Sequence, residues 1–265
     1  MKSLGEADHV VVSVSGGKDS TYLLWWALKN VPKEKIIVVH AEIDIDWNET
    51  LDVVKKQCEF FGVPLKVVRA THADGSPKGF LSILEGTRKD RKTGELKEVK
   101  FPSPQFRWCT SELKMAPIHK FVRTLEGNIA VLIGERAEES SNRAKLKAWR
   151  PMEKLSKKGR TVVNVSPILQ ASEGQVWRLI SKIGAPVHPC YDWGVKRASC
   201  AICIFSSDQD IEVAMDHAPN IVKKYLEVES KLEHTFRYKK ETKTRPAVKE
   251  RVLDIVNRIL KRRSE

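Results

Sequence analysis

The chain has 265 residues, 41% of them hydrophobic and 31% charged, which describes a globular protein long enough to bury a full core. No apolar run approaches the roughly 20 residues that cross a bilayer, and Met1–His9 has no apolar signal stretch, so membrane insertion is excluded and a cytoplasmic location is expected. The formal net charge of +13 exceeds what solubility needs; a field of that sign attracts nucleic acid, nucleotides or an acidic protein.

In chain order, His9 to Val14 is β-branched and apolar, as in a strand buried on both faces of a parallel sheet. A Gly-rich turn follows, then a helix through Thr21–Leu28 that ends near Asn30 and Pro32. Ile36–Ala41 reads as a second strand, Glu49–Phe61 as a helix and Leu65–Arg69 as a third strand. This alternation implies right-handed crossovers and an α/β fold with a doubly wound, mostly parallel sheet. From His72 to Gln105 the pattern breaks into Gly, Pro and charge, with Arg88, Lys89, Arg91, Lys92, Lys97 and Lys100; a long loop or small excursion over the active face is expected. Met115–Leu125 is helical, and Ile129–Gly134 is a strand ending on Gly134, where a ligand-binding sheet edge would lie. Val162–Val165 is a further short strand. Ser172 followed by Gln175 is a capping box for a helix through Val176, Trp177 and Ile180.

After Cys203 the chain turns helical and basic, through Lys223, Lys224, Arg237, Lys239, Lys240, Lys243, Arg245, Lys249 and Arg251 to Lys261, Arg262 and Arg263. Two units are expected: a nucleotide-binding domain over 1–207 and a basic helical extension over 208–265.

Ser15-Gly16-Gly17-Lys18-Asp19-Ser20 follows a buried strand and opens a helix, where free backbone N–H groups and the helix dipole hold an anion. Two glycines let a phosphate approach the backbone, Lys18 adds a point charge, and Asp19 orients the loop or helps hold Mg2+. It is not a Walker A loop, since Asp19 stands where Ser or Thr would follow the lysine. Cys200 and Cys203 form a CxxC pair able to chelate one metal. Cys58, beside Phe60 and Phe61 in an amphipathic helix, reads as buried packing.

These motifs in this order resemble the PP-loop ATP pyrophosphatases (adenine nucleotide alpha hydrolase-like), and within them the branch of phosphoadenosine phosphosulfate (PAPS) reductases and the DNA phosphorothioation proteins DndC and SspD. The likeness spans roughly residues 8 to 207. It rests on the loop, on His40-Ala41-Glu42 through Asp46, on Arg107-Trp108-Cys109-Thr110 with Lys114, on Gly134-Glu135-Arg136 through Ser140 and Arg143, and on the run from His188 to Cys203. The resemblance implies nucleotide contacts from Ser13, Ser15, Gly16, Gly17, Lys18, Asp19, Ser20, His40, Ala41, Gly134, Arg136, Ser140 and Arg143, with Lys18, Asp19 and Arg136 catalytic. It also implies a four-thiolate site of Cys109, Cys190, Cys200 and Cys203 holding a [4Fe–4S] cluster, ahead of Zn2+.

Within that family an intact SGGKDS suits cleavage of ATP to AMP and pyrophosphate, and no cysteine follows Cys203 to serve as a C-terminal reductase nucleophile. The expectation is an ATP pyrophosphatase that adenylates a nucleic acid for sulfur incorporation. DNA stands ahead of tRNA as the acceptor, and a cysteine desulfurase is the sulfur donor. A sulfonucleotide (PAPS or APS) reductase and a tRNA-thiolation enzyme are the alternatives, and a homodimer is left open.

Overall fold

The valines of the first strand alternate between two apolar layers, which fixes the architecture around them. In a computed structural model, which describes residues 1, 3–90, 92–198, 200–232, 234–239 and 248–265, the elements run β1 (His9–Val14), α1 (Lys18–Asn30), β2 (Ile36–Ala41), α2 (Thr50–Phe61), β3 (Leu65–Val68), α3 (Phe80–Leu84), β4 (Thr87–Lys89), β5 (Leu96–Glu98), α4 (Ala116–Val122), β6 (Gly127–Leu132), α5 (Ser141–Ala144), β7 (Trp149–Pro151), β8 (Arg160–Val165), α6 (Glu173–Ile183), α7 (Asp208–His217), α8 (Pro219–Glu229), β9 (Arg237–Lys239), β10 (Val248–Glu250) and α9 (Val252–Ser264). Val10, Val12 and Val14 pack with Leu23, Leu24 and Ala27 of α1 and Val54 of α2, whereas Val11 packs with Ile118 and Val122 of α4. The two-residue side-chain period of a strand separates these sets, and helices cover both faces.

The main sheet has the order β3-β2-β1-β6-β8-β7, parallel except for β7, which pairs antiparallel with β8. The α/β doubly wound expectation therefore stands. Strand order reverses between β1 and β6, so the crevice beyond their carboxyl ends is the topological switch point where such sheets bind ligands. The expected capping box is present, with Ser172 Oγ accepting from the Gln175 N–H and Gln175 Oε1 from the Ser172 N–H.

The excursion after His72 is more ordered than its composition suggests. Phe80, Leu81, Ile83 and Leu84 form a buried helical turn whose first N–H groups, on Phe80 and Leu81, donate to Asp44; a β4–β5 hairpin follows. Of the basic residues named above, Arg91, Lys240, Lys243 and Arg245 lie outside the described residues. In the C-terminal part the strands β9 and β10 pair antiparallel between the helices. Helices α7, α8 and α9 share one apolar cluster with Ile45, Trp47, Phe80, Trp108, Cys190 and Ile202. Much of the basic surface there is internally paired: Arg237 with Asp208 and Glu250, Arg258 with the same two, Arg262 with Glu212, and Arg263 with Glu212 and Asp216. Among the described residues no helix is long and apolar enough to cross a membrane.

Candidate active site

The turn after β1 reverses on Gly16, whose φ of 77° favours glycine, and a Cβ there would meet Val54 at 3.3 Å. Gly17 caps α1. Ser20 Oγ accepts from the Ser15 N–H (3.2 Å) and donates to the Gly17 carbonyl (2.8 Å), so one serine closes the loop on itself. Gln57, buried in α2, extends Nε2 to the Gly16 carbonyl (3.2 Å), Thr21 Oγ1 (2.8 Å) and the Pro186 carbonyl (3.0 Å). Sequence reasoning missed Gln57; the available signal was a lone amide on the apolar face formed by Val53, Val54 and Cys58.

Lys18 is 2% exposed. Its ammonium lies 3.3 Å from Glu173, 3.6 Å from Asp19 and 3.3 Å from the Lys196 carbonyl. Asp19 also accepts from Arg136 Nε at 2.5 Å, and Arg136 Nη1 reaches Glu138 at 2.6 Å. Gly134, at the end of β6, lies where a Cβ would meet the Asp19 carbonyl at 3.3 Å, which brings the third predicted segment against the loop. Arg143 and Arg197 share the carboxylate of Glu139, and Ser140 Oγ accepts from the Arg143 N–H. Arg197 was not singled out in the sequence; it joins Arg143 to make two cations on one carboxylate.

The segment from His188 to Ala198 folds over the loop. The Lys18 N–H donates to the Tyr191 hydroxyl at 2.8 Å, and a Cβ on Gly17 would meet Tyr191 Oη at 3.3 Å and Ala198 at 3.4 Å. Burial raises the Tyr191 hydroxyl above its ordinary range, so it stays a neutral phenol. The turn is pinned by His188, whose Nδ1 accepts from the Cys190 N–H (3.1 Å) and whose Nε2 faces Thr50 Oγ1 (3.2 Å). Burial pushes this imidazole down to about 4, so it is neutral at pH 7.

Beside the loop, a cavity of ≈ 70 Å³ is lined by Ser13, Ser15, His40, Ala41, Asp46 and Lys114, among others. His40 Nδ1 lies 3.0 Å from the Val14 carbonyl, and its buried Nε2 has no hydrogen-bond partner. With Nδ1 donating, Nε2 is an acceptor without a donor. Ser13, Ser15, His40 and Ala41, four of the residues singled out in the sequence, thus line one cavity.

Three of the four predicted thiols sit together electrostatically. Cys200 Sγ is 3.8 Å from Lys114 Nζ, and Cys109, Cys200 and Cys203 all act on Lys114. The lysine is raised above its ordinary range, chiefly by Cys200, while burial opposes. Asp46 pairs with Cys200 through an isolated antiparallel bridge, and burial raises its carboxyl. Cys190 belongs to the apolar cluster against which Cys109 and Cys200 pack. It is fully buried, burial pushes its thiol up to about 12, and the charges around it are Lys18, Glu49, Asp192 and Asp210. Among the described residues no three His, Cys, Asp or Glu side chains are arranged to hold a metal ion. Cys58 is buried against α1 and β2, as expected.

Residues 9–206 match the model of the family described as "Phosphoadenosine phosphosulfate reductase domain". Two uncharacterized proteins of Methanocaldococcus jannaschii are 29% and 26% identical over 73% and 82% of this chain, which spans 36% and 46% of their lengths. A phage 186 protein, also uncharacterized, is 26% identical over 86% of this chain and 76% of its own. Among solved structures, a PAPS reductase from Candida auris in a phosphate complex has 17% identity and a TM-score of 0.48, covering 72% of this chain and 80% of that one. The U34-tRNA thiolase NcsA from Methanococcus maripaludis, with its [4Fe-4S] cluster, has 18% identity and a TM-score of 0.46, covering 87% and 74%.

Proposed function

Because the chain belongs to the phosphoadenosine phosphosulfate reductase domain family, we propose that it binds an adenosine nucleotide at the ends of β1, β2 and β6 and cleaves ATP to AMP and pyrophosphate. The observation that carries this reading is Lys18, nearly fully buried at the N-terminus of α1, its ammonium held by Glu173 and Asp19 at the switch point of the sheet. Buried donors aimed at a departing anion stabilise the charge that develops on it. The His40 acceptor in the adjoining cavity suits the amino group of a purine.

In this reading an acceptor oxygen attacks the α-phosphorus of ATP, the bond to the bridging oxygen of the β-phosphate breaks, and pyrophosphate leaves with the electron pair. Lys18 holds the leaving group. Asp19, taken by Arg136 and Lys18, orients both cations, and magnesium arrives with the triphosphate. The acceptor is a nucleic acid, DNA ahead of tRNA, now carrying AMP as a leaving group; a cysteine desulfurase is the sulfur source, and hydrosulfide released from its persulfide by a thiol reductant displaces AMP. This is the chemistry of DNA phosphorothioation.

The expected four-thiolate site of Cys109, Cys190, Cys200 and Cys203 would be the place for an iron–sulfur cluster or zinc, but among the described residues these side chains are not arranged to hold a metal ion, and no step here runs through one.

The family description favours a second reading, reduction of a sulfonucleotide, in which a thiol attacks sulfur. One experiment separates the two. The protein is purified without oxygen, incubated with α-labelled ATP and magnesium with and without DNA or tRNA, and AMP is resolved from ADP. AMP with pyrophosphate, lost in Lys18→Ala, is expected; no cleavage of ATP together with release of sulfite from PAPS or APS would overturn it.

A further inference from the structure

A groove of ≈ 920 Å³ lies between the segment Lys100–Gln105 and residues 204–208 and 234–237, and it shares no lining residue with the nucleotide cavity. Its volume falls in the range of about 300–1,000 Å³ that holds nucleotide-sized ligands, too small for a duplex. Its wall begins one residue after Cys203, whose N–H donates to Ser206 Oγ at 3.0 Å, which ties that wall to the CxxC turn.

Its aromatic and cationic groups are unusually placed. Phe205, which lines it, is 55% exposed, and Phe106, next to Gln105 on the rim, is 63% exposed. The Arg107 guanidinium lies 5.4 Å over the Phe205 ring centroid. Lys100 and Lys249 line the groove and are exposed, and neither they nor Arg107 form an ion pair among the described residues. Large exposed rings in an apolar depression mark an interaction surface, and exposed cations around them select an anionic partner.

We propose that this groove binds a short single-stranded stretch of the nucleic-acid acceptor, with bases stacked on Phe205 and Phe106 and phosphates against Lys100, Arg107 and Lys249. The assignment rests on the adenylating reading for the identity of the acceptor. Single strands are favoured because ring faces offer stacking only to bases already out of a duplex, and any base supplies a face to stack. The groove would hold the acceptor strand next to Cys203 while the nucleotide is bound beneath Tyr191.

The test is fluorescence anisotropy on the full chain, without ATP, using labelled single strands of thymidylate and uridylate, a duplex of the same length, and a polyglutamate peptide. The single strands are expected to bind tighter than the duplex or the peptide. Phe205→Ala should weaken single-strand binding by about fivefold or more, and Phe205→Trp should retain it. Replacing Arg107 and Lys249 by Ala should flatten the dependence of log affinity on log salt by about 0.7 per cation. Because Phe205 is exposed, the melting temperature of the variants should match that of the parent. Single-strand binding unchanged in Phe205→Ala, or a preference for duplex or peptide, would overturn the proposal. AMP formation is read separately, so a lost adenylating activity with Phe205-dependent binding and an intact activity with Phe205-independent binding are different results.

Discussion

The hydroxyl of Tyr191 takes the hydrogen bond of the Lys18 N–H, one of the donors a helix N-terminus would offer an anion. A phosphate oxygen at that N–H must displace the phenol, and a net hydrogen bond is worth about 0.5–1.5 kcal/mol. Tyr191→Phe should therefore bind ATP about threefold to tenfold more tightly by calorimetry; weaker binding would mean instead that the hydroxyl positions the segment for the ligand. The loop itself was legible because its chemistry is local: glycines, a lysine and a strand–helix junction lie within six consecutive residues. Tyr191 and Gln57 were not, because their partners lie 173 and 41 positions away along the chain.

Among the elements, the start of α9 depends on a carboxylate from the end of α8. Glu229 is 1% exposed and accepts from the Val252 N–H at 3.0 Å and the Leu253 N–H at 3.4 Å. Removing it leaves buried helix donors unmet at about 1–3 kcal/mol each, so Glu229→Ala should lower stability by about 2–4 kcal/mol in urea unfolding. Burial raises the carboxyl above 4.5 in the folded state. A raised folded pKa means the native state holds the proton more tightly. Its contribution is thus most favourable below the unfolded value and declines as pH rises through the folded one. Glu229→Gln should lose this decline, and parallel pH profiles for parent and variant would count against it. The parallel strands and α6 could be read from β-branched runs and a capping box, which are one-dimensional signals. Helix α3 could not, because its burial comes from contact with Trp108 and Tyr225, and its N-terminus is met by Asp44 from a distant loop.

At the scale of the whole molecule, the net charge of +13 is less available than the count suggests, since Arg237, Arg258, Arg262 and Arg263 are spent on carboxylates between α7, β10 and α9. Asp208 is lowered below its ordinary value by Arg237 and Arg258 against burial, and Asp216 chiefly by its hydrogen bond with Arg263. Depressed carboxyls stabilise the fold above their unfolded pKa of 3.8 and lose that contribution as pH falls through the folded one. Acid unfolding below pH of about 4 should accordingly be shifted to higher pH in Asp208→Asn combined with Asp216→Asn, followed by circular dichroism; coincident acid transitions would refute it.

The margins of the main sheet constrain how two copies could meet. On one side β3 is four residues long and exposes Lys66; on the other, β7 is three residues long and ends in Pro151, which has no N–H to offer a further strand. Neither margin is a template for joining sheets across a two-fold axis. A homodimer of this chain would have to be built from its helical or loop surfaces, leaving each six-stranded sheet a closed unit rather than half of a continuous one.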